Sequence, residues 1–455
     1  MARSFSRLTL AGKILFTVIP ILLVLTGGLI VLIVVAGKPI VDFLATNIWL
    51  VRFVVAATAV LVMSIPSAFL IIYMEMKVIA LMNLRIGPDR VGPYGSLLSV
   101  VHGLKVLAKE DFSPTGADRL VFTLAPVAVF MATILSLLVL PFAPGLFGAD
   151  MNIGLLYLFA VSGMTVVGLL MGGWSSFNKY SLIGGLRSAA QVVSYEIPLT
   201  LSVVGLLLLA QTMSLNHIVE LQGPYKDAAG VVHGGWFTDW FVFRQPLGAL
   251  IFFIAATAEA NRTPFDLTEA DSEIVAGFAT EYSGMRYGFF YFAEYVNVFL
   301  VSGLIVTLFF GGWNGPFPWP WPITLNIDPG SMGLGLLFAL LIVPPLLVLA
   351  LSAPFYVGRS SLKWWQALII GFGLFNLLVI VAIGGWAFIS WDWVGGLLWF
   401  LLKSYVFVFV FVWMRGTLPR VRIDQLMGFA WKWLLPASLL NLFVTAAALV
   451  VVHPT

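Results

Sequence analysis

The chain has 455 residues, of which 60% are hydrophobic and only 10% charged, with a mean hydropathy of +1.02. A soluble domain carries about 25% charged residues, so the composition excludes a soluble enzyme and points to an all-α polytopic membrane protein. The net charge is only +3, and cysteine is absent, so this chain alone can build no disulfide, iron–sulfur cluster or thiolate zinc site.

Apolar runs of at least ~18 residues mark candidate spans. In chain order they lie near 14–36, 51–74, 119–141, 153–173, 188–210, 244–260, 286–311, 334–357, 366–389, 394–414 and 429–452, about 11 transmembrane helices. The count is ten if 244–260, short and ending in polar residues, is set aside. The first run is too long for a removed signal peptide and lacks a small-residue cleavage site. After the second, Gly87-Pro88 and Gly92-Pro93 force an irregular loop. From Ser96 to Lys109 the pattern changes, with Leu97, Val100, Val101, Leu104 and Leu107 at helical spacing. Such a helix can lie in the membrane interface or be buried against soluble partner domains, and the sequence leaves both open. Segments 212–243 and 312–335 carry Trp236, Trp240, Trp313, Trp319 and Trp321, expected interface anchors.

Lys and Arg set the orientation. With the N-terminus in the cytoplasm and the spans alternating, only Lys38, Arg52, Lys226 and Arg244 fall outside, and Lys403 lies within a span. The positive-inside rule is then satisfied and places the C-terminus on the outer side. The basic charge reports topology rather than nucleic-acid binding. All the elaborate loops (75–118, 172–196, 261–285 and 415–432) face the cytoplasm, which suggests a docking platform.

The richest segment runs AEANRTPFDLTEADSEIVAGFATEYSGMRYGFFYFAEY. It holds Glu259, Asp266, Glu269, Asp271, Glu273, Glu281 and Glu294, seven of 21 acids in the chain. A carboxylate at a helix centre costs roughly 2.5–3.5 kcal/mol on insertion scales. Three acids fall at or inside expected spans: Glu196 near the start of one, Glu259 at the end of another and Glu294 about two turns into a third. Each should face the bundle interior, neutral or paired. One reading makes each acid glue between helices, bridged to a nearby Arg or Tyr. The better reading, given three such acids feeding an acidic loop, is a hydrated funnel open to the cytoplasm, with Arg187, Arg262 and Arg286 as counter-charges. For each arginine alone, topology signalling is the plainer role. The four histidines are scattered, and there is no Walker A, CxxCH or GxGxxG motif.

Five segments together resemble the H subunit of bacterial proton-pumping NADH:quinone oxidoreductase (respiratory complex I), the counterpart of mitochondrial NADH dehydrogenase subunit 1. They are Glu75-Met-Lys77 through LRIGPDRVGP, Lys105 to Asp111, GWSSFNKYSLIGGLRSAAQVVSYE, the acidic segment above, and RGTLPRVRIDQLMGFAWKWLLP. The resemblance implies a non-redox subunit in the cell inner membrane that takes quinone as substrate. Iron–sulfur clusters and FMN would sit in partner subunits. The expected partners are peripheral-arm iron–sulfur and quinone-site subunits, small membrane subunits leading to antiporter-like subunits, and lipid. By motif position the proton path takes Glu196, Glu259, Asp266, Glu269, Asp271, Glu273 and Glu294. The quinone chamber takes Glu75, Arg85, Arg90, His102, Lys105, Arg187, Arg262, Glu281, Tyr282 and Arg286.

The chain departs from the family pattern at Met76, Asn83, Asp89 and His102. His102 stands where an Asp usually precedes the interface-helix lysine. A satisfied interface histidine is the plainer reading, and a retained polar role in the tunnel the other. Beside an eight-span core of 46–315 and 394–455, residues 1–45 add one span and 316–393 a helical hairpin. A relative using ferredoxin, deazaflavin or hydrogen chemistry would look alike here, because the donor binds another subunit. A free-standing proton-coupled transporter is the reading from a different class. It should show internal inverted repeats, and none is visible.

Overall fold

A computed structural model describes residues 48–226, 232–266, 276–316 and 392–452. The chain divides into two compact units, Met1–Thr58 and Ala59–Thr455. The first is described only where helix α1 (Ile48–Met82) begins, and the account below concerns the second.

α1 runs eight residues past the expected end at 74 and takes Glu75, Met76 and Lys77 into the helix. No breaker stands between Tyr73 and Asn83, and Glu, Met, Lys, Ala and Leu all favour helix. It closes in a Schellman arrangement, with the Arg85 amide donating to Ala80 O at 2.9 Å and Leu84 at φ 52. Glycine is usual at that left-handed position, and a residue with a Cβ costs roughly 1–2 kcal/mol there. Two other bulky residues, Tyr94 (φ 54) and Phe177 (φ 50), carry the same strain.

The interface segment forms α2 (Leu98–Leu107). It packs through Gly103 onto Phe69 of α1 and through Val106 onto Gly288 further along the chain. Val100, Val101, Leu104 and Leu107 stay exposed, so the described residues do not cover their apolar face.

α3 (Arg119–Leu137) starts at the Asp118 cap, whose carboxylate accepts the Leu120 amide. The next span is two helices, α4 (Gly154–Ser162) and α5 (Met164–Ser175), interrupted at Gly163. α6 covers Lys179–Ala210, opened by Asn178, whose side chain accepts the Tyr180 amide. It therefore begins nine residues before the expected 188, and Glu196 lies at mid-helix rather than near a start. The reason is packing: Ser181, Gly184, Gly185 and Ser188 are buried, and their small side chains let backbones meet. A Cβ on Gly184 would stand 2.5 Å from the Gly277 carbonyl carbon, and one on Gly173 3.1 Å from the Gly185 Cα. Small residues weak in helix propensity thus become the seam that joins helices in a membrane.

A short helix α7 (Leu215–Glu220) and a two-stranded hairpin follow, β1 (Pro224–Lys226) pairing antiparallel with β2 (Val232–Gly234). The sequence pattern gives no sign of the hairpin. α8 (Phe241–Arg244) leads into α9 (Pro246–Glu259), only 14 residues long with proline in its first turn. That is short of the ~20 residues a helix needs to cross hydrocarbon.

α10 (Gly284–Phe309) is the central helix, buried along nearly all of its second half. Its far end is closed by Lys403, which donates to Phe310 O at 2.7 Å and Asn314 O at 2.8 Å and lies 4.8 Å from the Trp240 ring. α11 (Asp392–Thr417) carries that lysine. The last span joins α12 (Ile423–Phe429), a π-helical turn (Ala430–Leu434) and α13 (Leu435–Val452).

Seven described helices are long and apolar enough to cross a membrane, and α9 is the shorter eighth. The chain is an all-α polytopic membrane protein apart from the small hairpin. The expected spans at 14–36, 334–357 and 366–389 lie outside the described residues, as do the additions they were assigned to. Gly184→Val should destabilise the bundle by ~1–3 kcal/mol or more through that backbone clash. The check is thermal unfolding in detergent, where an unchanged midpoint would refute the seam.

Candidate functional site

The site starts from the turn that follows α9. Asn261 takes a left-handed backbone (φ 49), and the Arg262 amide returns to Thr257 O at 3.2 Å. Gln191 of α6 holds the turn with one amide nitrogen, reaching Ala258 O at 2.8 Å, Phe265 O at 2.7 Å and Asn261 Oδ1 at 3.1 Å. On the other side the Val421 amide donates to Pro264 O at 3.0 Å. Held in this way, the turn directs Arg262 inward, where only 3% of it remains exposed.

Arg262 joins two carboxylates. Its Nη1 lies 3.3 Å from Glu75 Oε2 and its Nη2 3.4 Å from Glu294 Oε1. Glu75 has a second partner, Arg415 Nη1 at 2.6 Å. The Arg262 guanidinium also lies 4.6 Å from the Tyr295 ring, whose hydroxyl meets that of Tyr291 at 3.0 Å. Two arginines and two glutamates from α1, the turn, α10 and α11 thus form a neutral quartet. Burying each ion costs several kcal/mol, which opposed partners at hydrogen-bond range offset.

Beside the quartet is a cavity of about 360 Å³. Its polar lining includes Glu259, Glu294, Arg415, Arg420, Tyr287 and Tyr291, and its apolar wall Leu169, Val192 and Phe290. This volume and this polarity suit several water molecules. Arg420 also reaches Asp266 Oδ2 at 3.3 Å, and that aspartate is 3% exposed. Glu196 lies at mid-helix in α6. Its Oε1 is 3.4 Å from where a Cβ on Gly163 would sit, at the interruption between α4 and α5. Of the three membrane acids, Glu294 is bridged to an arginine, as the glue reading expects, and it also faces the cavity.

The other expected residues are placed differently. Arg286, expected among the counter-charges of the acidic funnel, pairs through its Nε with Asp111 Oδ2 at 3.3 Å, and its guanidinium lies 5.3 Å from the Phe122 ring. The cause is local: Gly284 (φ +55) starts α10 against Lys109 and Asp111, so the first turn of the helix faces that loop. Tyr282 stacks on Phe122 at 4.0 Å and donates to Phe122 O at 3.1 Å. Burial pushes its phenol up to about 12 against the opposing pull of Ser175 and Arg286, so it is a neutral donor at any physiological pH. Glu281 accepts from Asn178 Nδ2 at 2.6 Å. Arg85, Arg90, His102 and Lys105 are exposed, and Arg187 is half-buried on α6. Glu269, Asp271 and Glu273 lie outside the described residues.

In the sequence Arg415 and Arg420 belong to the fifth resembling segment and to the cytoplasmic basic residues, and neither is given a role at the site. The signal that could have found them is an electrostatic deficit: Glu75 enters an apolar helix with no cation on its own face of the motif, and Arg415 closes another apolar helix.

A family model described as NADH dehydrogenase matches residues 54–446. The H subunit of the NADH-quinone oxidoreductase of Brevibacillus brevis is 41% identical over 401 residues, covering 88% of this chain and 93% of that protein. The H 1 subunit of the Koribacter versatilis enzyme is 42% identical over 407 residues, covering 88% and 91%. The H subunit of the Dehalococcoides mccartyi enzyme is 40% identical over 382 residues, covering 84% and 82%.

Removing Arg262 strands two buried carboxylates. Arg262→Met should cost ~3–5 kcal/mol, and Arg262→Lys less, because it keeps the charge and loses only the fork. Thermal midpoints of the purified variants measure this, and equal midpoints for wild type and Arg262→Met would refute the quartet as a structural element.

Proposed function

The chain belongs to the NADH dehydrogenase family, and from that premise we propose that it is the H subunit of a proton-pumping NADH–quinone oxidoreductase. In this reading it forms part of the quinone tunnel and the first stage of the proton path, and it docks the peripheral arm. The iron–sulfur clusters belong to other subunits, since this chain has no cysteine to hold one, and FMN is assigned to a partner subunit by the family resemblance. The N-terminus and the large loops lie on the cytoplasmic side and the C-terminus on the outer side. Residues 1–45 and 316–393 are additions to a core of 46–315 and 394–455.

The supporting observation is the double contact of Arg262. Glu75 belongs by motif to the quinone chamber and Glu294 to the proton path, and one buried guanidinium holds both at nearly equal distance. Reduction of a quinone to a neutral quinol takes up two electrons and two protons, and protons drawn from side chains of the chamber leave those side chains more negative. Between charges at this range in a low-dielectric bundle, small displacements carry large energies. Glu75 has a second cation, Arg415 at 2.6 Å, and so does not depend on Arg262 alone. Arg262 can therefore favour either carboxylate. When it moves toward Glu75, Glu294 is released to the cavity it shares with Glu259 and can exchange a proton there. Arg420 and Asp266 fix the loop end of the same cavity.

Purification from native membranes tests the assignment. The chain should travel with iron–sulfur subunits and NADH–quinone activity, and a chain that runs alone would refute it. Within the intact complex, Glu259→Gln and Glu294→Gln should each lower protons pumped per NADH by roughly ten-fold or more, as should Glu196→Gln. NADH–ferricyanide activity should be unaffected, because it bypasses the membrane arm. Full pumping in all three variants would remove the acids from the path. Arg286→Ala should slow quinone reduction with the complex still assembled. Failure to assemble would make Arg286 structural.

A further inference from the structure

Leu84, Tyr94 and Phe177 share two properties that rarely occur together. Each holds a left-handed backbone that disfavours any residue with a Cβ, and each projects a large apolar side chain outward, 95%, 78% and 81% exposed respectively. A left-handed residue usually repays its strain within its own chain, through a tight turn or a buried contact. Leu84 occupies the helix-closing position where glycine would form the same hydrogen bonds without strain. The Tyr94 carbonyl accepts from the Tyr73 hydroxyl at 3.1 Å, a bond that does not need the Tyr94 ring. Phe177 rests one ring edge on Gly116 and leaves the remainder of the ring uncovered. Among the described residues, nothing rewards the three side chains for being where they are.

We propose that Leu84, Tyr94 and Phe177 are the apolar anchors by which this chain grips a soluble protein partner with complementary pockets and an acidic rim. The inference rests on the docking role proposed above and names the residues that carry it. Backbone strain fixes the direction in which a side chain points. A fluid bilayer rewards apolar area in any direction, whereas a folded partner rewards a fixed one, because its pockets are rigid. The charges beside the anchors agree. From Leu84 to Arg119 the exposed cations are Arg85, Arg90, Lys105, Lys109 and Arg119, against Asp89, Glu110, Asp118 and an Asp111 already paired with Arg286. Cations around an apolar centre select a partner with acids at its edge and hasten its approach.

Glycine substitution separates this from a merely local role, because the two readings differ in sign. If the strain is incidental, Leu84→Gly, Tyr94→Gly and Phe177→Gly relieve it and leave the complex as stable or more so. If the side chains are anchors, the triple variant inserts at wild-type level but loses the arm. Membrane-retained NADH–ferricyanide activity should then fall roughly ten-fold or more after a moderate-salt wash. Retention within two-fold of wild type would overturn the proposal. Photo-cross-linking from benzoylphenylalanine at Tyr94 in the intact complex should yield an adduct with a soluble subunit. Adducts only with lipid, or only with this same chain, would also overturn it. Wild-type membranes that hold no NADH–ferricyanide activity would instead remove the docking role and this inference with it.

Discussion

A guanidinium buried between two carboxylates governs this structure. Arg262 cannot be solvated where it lies, so the elements around it must supply its partners. Glu75 reaches it because α1 continues past the apolar run that first defined it. Glu294 reaches it because α10 passes through the middle of the bundle with most of its surface covered. Arg415 balances the second carboxylate oxygen of Glu75 from the end of α11. Moving any of these helices by a turn would leave a charge alone in low dielectric, a larger penalty than most packing defects.

The same constraint explains the shape of the acidic region. α9 stops short, and its C-terminal turn, pinned by Gln191 and the Val421 amide, converts a span into an inward-pointing hook. Behind that hook lies the cavity, in which ionisable side chains from three helices and a loop converge. At the opposite end of α10, Lys403 donates to the Phe310 and Asn314 carbonyls just past the helix and lies over the Trp240 ring.

Much of this is legible in the residues. Hydropathy locates the core spans because burial in hydrocarbon demands long apolar runs, and the gathering of acids between Glu259 and Tyr295 marks the site. Helix ends are less visible. The start of α6 is hidden because Gly184, Gly185 and Ser188 read as loop in isolation and gain their helical state only from close backbone contact. Pairing is hidden for a different reason: an ion pair between residues far apart in sequence leaves no local pattern. Arg415 therefore passes for a topology signal, and the pairing of Arg286 with Asp111 leaves no trace in the sequence. The hairpin at Pro224–Lys226 and Val232–Gly234 is too short for any alternation to register.

The order in which the quartet is synthesised has a consequence for biogenesis. Glu75 leaves the ribosome first, then Arg262, then Glu294, and Arg415 last, so the signs alternate. Within the quartet, a nascent chain threading into the bilayer therefore never has more than a single unbalanced ion to shelter. Each newcomer cancels or is cancelled by its predecessor, so the four charges are balanced in pairs as they are made.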